Sequence, residues 1–118
     1  RVPTGSMIPT IEIGDNIIVN KLAYRFKIPF TNSVLFEIAT PKKGDIVVGN
    51  QPVNPKIYIC KRVVETGGNS LPNYPHIKIP PGNFWLEGDN KQVSYDSRHH
   101  GCVPEHLIEG KVIFVIPI

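Results

Sequence analysis

The chain has no apolar run approaching the roughly 20 residues of a membrane-spanning helix, and no stretch laid out like a secretory signal. It has no basic run either. Its thirteen lysines and arginines are scattered, and the net charge is only +3, too mild to imply nucleic acid. Cysteine is scarce. Cys60 and Cys102 are the only two, too few for a disulfide framework, and the sequence leaves open whether they pair. Long helices are excluded as well, because twelve prolines and ten glycines cut the chain into short segments.

What is present fits one domain. A chain of 118 residues, 41% hydrophobic and 19% charged, can bury a core of its own. Short runs rich in valine and isoleucine recur at Asn16–Val19, Asp45–Val48, Lys56–Ile59, Arg62–Val64, Phe84–Leu86 and Val112–Ile116. Glycine, proline, asparagine or aspartate usually bounds them, which is strand chemistry. Gly14-Asp15, Gly44-Asp45, Gly67-Gly68-Asn69, Pro81-Gly82-Asn83 and Gly88-Asp89-Asn90 read as turns or bulges. Residues Leu22–Thr40 read as a loop or hairpin with aromatic anchors, and Pro104–Ile108 as one helical turn. The expected fold is all-β, with several small antiparallel sheets forming a partly open barrel.

One serine stands out. Ser6 lies in Thr4-Gly5-Ser6-Met7, with Pro3 and Pro9 on either side. A serine hydroxyl is a poor nucleophile until a base takes its proton. Four histidines are available, His76, His99, His100 and His106, but none stands in a recognisable protease motif, and His99-His100 reads as a polar surface turn. A lysine can serve if it is neutral, which requires a pKa brought down from about 10.4 towards 7–8. Burial among apolar side chains does this. Lys61 lies in Ile57-Tyr58-Ile59-Cys60-Lys61-Arg62-Val63-Val64, the most apolar surroundings of any lysine before the C-terminal segment. Strand alternation puts Ile57, Ile59 and Lys61 on one face. The alternative for Lys61 is a strand-edge lysine that snorkels to water. Lys21, Lys42, Lys43 and Lys91 border turn signals and are expected in solvent, and Lys111 borders an apolar strand without a companion motif.

Five segments together resemble the type I signal peptidases, a family of serine–lysine proteases. Pro3–Thr10 resembles their nucleophile box and Ile13–Lys21 the strand that follows it. Lys42–Val48 resembles the third box, Cys60–Val64 the lysine box, and Gly88–Arg98 the last box, followed by Gly101 and Val103-Pro104. The match runs in order over most of the chain. It implies that Ser6 attacks the scissile carbonyl, with Lys61 as general base and then general acid. It implies an oxyanion site made by the Ser6 N–H and the Thr4 hydroxyl, where many relatives carry serine, and a Ser94 hydroxyl that orients the Lys61 amine. The alternative for Ser94 is a turn-capping hydroxyl. Arg62, Asp89, Asp96 and Arg98 are expected to be structural, pairing Arg62 with Asp89 and Asp96 with Arg98. No metal or cofactor is implied.

The same resemblance implies an extended peptide added beside the Lys61 strand, with small apolar pockets lined by Val2, Met7, Ile11, Ile59 and Cys60. Such pockets suit alanine-like residues one and three positions before the cut. Plain core packing is the alternative for each of these five. The implied partners are signal-peptide-bearing precursors and a membrane lipid surface, not nucleic acid. The implied location is the extracytoplasmic side of a cytoplasmic (inner) membrane, with residues 1–118 as a single catalytic domain. The family carries an N-terminal membrane helix just before the nucleophile box, and such an anchor is expected ahead of Arg1. Phe26, Phe30 and Phe36 either touch lipid or close the barrel.

Two departures matter. Relatives usually carry a Gly-Leu-Pro-Gly-Asp turn after the lysine box, whereas this chain has Glu65-Thr66-Gly67-Gly68-Asn69, so the acidic end becomes an amide. Only a few residues separate Ser70 from Pro80, where many bacterial relatives insert a second β domain. This points to a minimal form, as in short bacterial enzymes and mitochondrial inner-membrane peptidases. Lys21–Tyr24 and Ile28–Asn32 lean to the bacterial form, which is favoured, and Ile59–Arg62 to the mitochondrial one. Signal-peptide removal leads the other readings, which are a specialised processing peptidase, a self-cleaving repressor-type protease, and a silent β module that only binds peptides.

Overall fold

A computed structural model describes residues 2, 4–21, 23–27, 34–37 and 39–117, without the side chains of 25–27 and 34–37. Its main feature is a six-stranded antiparallel sheet. The strands in chain order are β1 (Asn16–Asn20), β2 (Arg25–Lys27), β3 (Val34–Glu37), β4 (Ile46–Asn50), β5 (Tyr58–Thr66), β6 (Ser70–Leu71), β7 (Tyr74–Lys78), β8 (Asn83–Glu87), β9 (Val103–Pro104) and β10 (Ile108–Ile116). The large sheet has the order β1-β10-β4-β5-β8-β9, while β2–β3 and β6–β7 form separate hairpins. Its two edges, β1 and β9, do not meet. The all-β class with partly open sheets is therefore the observed one.

The inner strand β5 explains the core. Its residues alternate, with Ile59, Lys61 and Val63 buried and their neighbours more open, as the two-residue period requires. Ile59 and Val63 join Val47, Phe84, Leu86, Val103, Ile108 and Tyr24 in one apolar cluster. A second cluster, Val2, Met7 and Ile11, packs against Ile17, Ile46, Cys60 and Val115. Registers fix the frame: Val47 lies opposite Lys61, and Val63 opposite Leu86.

Some expectations on element boundaries need correction. The runs expected as separate strands at 56–59 and 62–64 are one strand, because Lys61 occupies an inward position and does not interrupt the ladder. The expected turn at Pro104–Ile108 is a 3-10 turn over Glu105–Leu107. The short helix α1, Ser97–His100, falls where a polar turn was expected. Its N-cap is Asp96, whose carboxylate accepts from the Arg98 N–H. The β6–β7 hairpin was not foreseen, since Pro72 and Pro75 mask its alternation. The hairpin expected within 22–40 is β2–β3, but the side chains of Phe26 and Phe36, and Phe30 altogether, lie outside the described residues. Cys60 and Cys102 are unpaired.

Leu86 is wholly buried in the larger cluster, whereas Ile113 is 55% exposed. Leu86→Ala is expected to cost about 2–5 kcal/mol, and Ile113→Ala to stay within about 0.5 kcal/mol, both read by urea unfolding. Equal effects would show that this cluster does not hold the sheet.

Candidate active site

Val2 sits beside the 14–15 turn ahead of β1, and Ser6 lies over β5. The Val2 N–H donates to the Asp15 carbonyl (2.9 Å), and the Gly14 N–H to the Val2 carbonyl (2.8 Å). Met7 drops into the second apolar cluster, which seats Ser6 above Lys61. Both are buried, at 7% and 6% exposure. The Lys61 Nζ lies 2.7 Å from Ser6 Oγ, although the two residues are 55 positions apart in the chain.

Burial pushes the Lys61 pKa below its ordinary value, and the nearby Asp96 carboxylate offsets part of that. An amine kept neutral at this distance can accept the serine proton. The Thr4 hydroxyl points at the same atom, donating to Ser6 Oγ over 3.4 Å. Among the described residues the Ser6 N–H is given to no acceptor. The two expected oxyanion donors thus lie on the same turn as Ser6.

The last box holds this turn from the other side. The Asn90 N–H donates to the Ser6 carbonyl (2.7 Å), and its side-chain amide to the Gly5 carbonyl (3.0 Å). Gly88 passes so close that a Cβ there would meet Ser94 Oγ at 2.3 Å and the Ser6 carbonyl at 2.6 Å. Only glycine permits that approach. Asn90 and Gly88 were read as turn residues and as part of the last box, neither of which says what the turn grips.

Arg62 and Asp89 form a two-pronged pair, Nε to Oδ1 and Nη2 to Oδ2, each at 2.9 Å. Thr10 donates its hydroxyl to the same carboxylate. Hydrogen bonds from Arg62 hold the Asp89 pKa below the usual carboxylate range, against the upward push of burial. Asp96 is fully buried. Burial alone would raise its pKa, but donors surround it. Arg98 Nε (2.9 Å) and Nη2 (3.0 Å), the Gly88 N–H (2.9 Å) and the Ser94 hydroxyl (2.8 Å) all reach it, and its pKa falls to about 2. Ser94 gives its hydroxyl proton to Asp96; among the described residues it makes no hydrogen bond to Lys61, although its oxygen can still accept one.

A cleft of about 560 Å³ runs from Ser6 and Lys61 along β5, within the usual size of a ligand pocket. Val2, Met7, Ile59 and Cys60 line it. Ile11 does not: it is wholly buried beneath Met7's turn, its N–H donating to the Met7 carbonyl (2.9 Å). Val48, Gln51, Tyr58, Val93 and Tyr95 also line the cleft without having been singled out, since strand and turn patterns do not report what faces a groove. Burial pushes the Cys60 thiol up to about 11, so it is an apolar wall and not a reactive thiolate.

A family model described as "Signal peptidase, peptidase S26" matches residues 1–72 and 69–117. The chain is similar to mitochondrial inner membrane protease subunit 1 of Homo sapiens, at 38% identity over 118 positions, covering 94% of this chain and 64% of the relative. It is similar to signal peptidase I of Pseudomonas aeruginosa, at 41% identity over 178 positions, covering 98% and 63%. Signal peptidase I of Buchnera aphidicola is 39% identical over 103 positions, covering 84% and 33%. The chain spans less than two thirds of the length of each of these relatives. The Pseudomonas alignment is longer than the chain, so that relative carries extra residues within the matched span. The family match itself divides at residues 69–72, at the β6–β7 hairpin.

The Asp96 pKa, about 2 against an ordinary 3.8, implies a pH dependence of stability. A carboxylate held low in the folded state adds stability above its unfolded pKa and loses it as pH falls through the folded one. Between pH 5 and 2 the unfolding free energy should drop by about 2 kcal/mol through this group. Asp96→Asn should lack that part of the drop in urea unfolding at successive pH values. Parallel curves for the two proteins would refute the assignment.

Proposed function

Because this chain belongs to the signal peptidase family of S26 peptidases, we propose that it is a serine endopeptidase that removes signal peptides from exported precursors. One observation carries this reading: a buried amine 2.7 Å from a buried serine hydroxyl. In the proposed reaction, Ser6 Oγ attacks the scissile carbonyl carbon and Lys61 Nζ takes its proton. The oxyanion is received by the Ser6 N–H and the Thr4 hydroxyl, donors that lie close to the developing charge. As the C–N bond breaks, the Lys61 ammonium returns the proton to the leaving amine. Water then gives a proton to Lys61 and attacks the acyl ester. Collapse releases the acid and returns the proton to Ser6 Oγ.

The substrate strand has a place to add. The Val63 N–H donates to Asp45 on the β4 side, so in the antiparallel ladder the odd residues of β5 face β4 and the even ones face away. β8 pairs with β5 only from Arg62 onward. The backbone groups of Tyr58 and Cys60 therefore have no strand partner on that side among the described residues, which suits an added strand. The small apolar wall of Ile59, Cys60 and Met7 suits small side chains one and three positions before the cut.

The proposed setting is a membrane surface, where precursors are tethered. Among the described residues no helix is long and apolar enough to cross a membrane, and the anchor belongs to the proposal. The extracytoplasmic side of a bacterial cytoplasmic membrane is the favoured location. The mitochondrial inner membrane is a second reading, favoured by the human relative, whose alignment spans 118 positions without a long insertion.

Ser6→Ala and Lys61→Ala should each cut cleavage of a precursor with alanine at the first and third positions before the cut by about 10³-fold or more, with the circular dichroism of the domain retained. Thr4→Val, which removes the hydroxyl, should cost about 10²–10³ in kcat. A serine-directed acylating agent should add one adduct mass at Ser6. Normal turnover by Lys61→Ala would overturn the assignment of base. Absence of both cleavage and acylation would favour a silent peptide-binding module.

A further inference from the structure

The cleft is apolar over most of its length, but a primary amide stands at the end remote from Lys61. Gln51 follows β4, and its N–H donates to the Ile57 carbonyl at 2.9 Å. Its side chain lines the cleft. The residue is only 9% exposed, yet its side-chain amide has no hydrogen-bond partner among the described residues. Its amide atoms are not sealed in the core but face the cleft, so their hydrogen-bonding capacity is open to what enters it. A ligand with a polar side chain at that point can pair with this amide.

We infer that Gln51 is a specificity-determining residue that hydrogen-bonds a polar side chain of the substrate five positions before the cut. This rests on the proposed reading of Ser6 and Lys61 as the point of cleavage. The position follows from registers. Val47 lies opposite Lys61, and Gln51 meets Ile57, four residues earlier on β5. At about 3.4 Å per residue this is about 14 Å along the strand. A peptide laid against the free edge of β5 advances at the same rate. With the residue before the cut at the level of Lys61, the third lies at Ile59 and the fifth at Ile57 and Gln51. The two-residue period turns these three side chains to the same face. The first two meet apolar walls and the fifth meets the amide. A glutamine amide both donates and accepts, so serine, threonine, asparagine and glutamine are matched, and isosteric apolar side chains are not.

The test uses precursor peptides identical except at that position, in isosteric pairs: threonine against valine and asparagine against leucine. The protein should favour the polar member of each pair about tenfold in kcat/KM. Gln51→Met, close in shape and without the amide, should bring both ratios to one or below. Ratios are insensitive to how much of a variant is folded. The same pairs are measured for affinity to the Ser6→Ala protein by fluorescence anisotropy, so that recognition is read without cleavage. A polar preference in binding that Gln51→Met abolishes supports the subsite even if hydrolysis proves independent of Ser6, an outcome that would sink the reading of the reaction instead. Cleavage that depends on Ser6, with equal ratios for the wild-type and Gln51→Met proteins, overturns the inference.

Discussion

A lysine on the inward face of a central strand is the constraint around which the rest of this molecule is arranged. The alternation of β5 places Lys61 between Ile59 and Val63, where a hydrophobic residue would ordinarily sit. Keeping an ammonium there costs several kcal/mol after relaxation. One hydrogen bond to a neutral hydroxyl returns only about 1 kcal/mol. The balance lowers the pKa of the amine, towards the neutral form that can accept a proton from Ser6. The same strand therefore supplies core packing and, in the proposed mechanism, the base.

That balance could be undone by the buried carboxylate nearby. An ionised Asp96 favours a charged lysine, and its influence on Lys61 is felt. Its charge, however, is committed elsewhere, to the Arg98 guanidinium and to N–H and O–H donors from Gly88, Ser94 and the start of α1. The Arg98–Asp96 pair thus bears on more than stability: it gives the Asp96 charge a counter-ion other than Lys61. Arg62 and Asp89 do a mechanical job. They fasten β5 to the 88–90 turn, and Asn90 fastens that turn to the carbonyls of Gly5 and Ser6. Removing one partner from such a part-buried pair leaves the other uncompensated, so the losses would exceed the pair's net worth.

Much of this was legible in the sequence, for reasons that differ by residue. Lys61 declared itself through period and surroundings, since a lysine flanked by β-branched residues on a strand has few ways to reach water. The two ion pairs were legible because each acid had an arginine within an ordered set of motifs. Ser94 was legible only in part: the last box brings it to the site, but only coordinates reveal that Asp96 takes its proton. Ile11 was misplaced because a turn after Met7 folds it under the cleft, and periodicity carries no information inside turns. Gln51 gave no signal at all. Its interest lies in where its amide stands in the cleft, and that is a property of the packed state alone.

The central claim is the neutrality of the Lys61 amine, and an NMR titration of that side chain tests it most directly. With 13Cε-labelled lysine, and the resonance assigned by its loss in Lys61→Arg, the Lys61 signal should titrate at a pH clearly below that of a lysine in a short peptide. Its midpoint should rise when Arg98→Gln frees the Asp96 charge. A Lys61 signal that titrates together with the peptide lysine would mean an ammonium at neutral pH, and the proposed base would be lost.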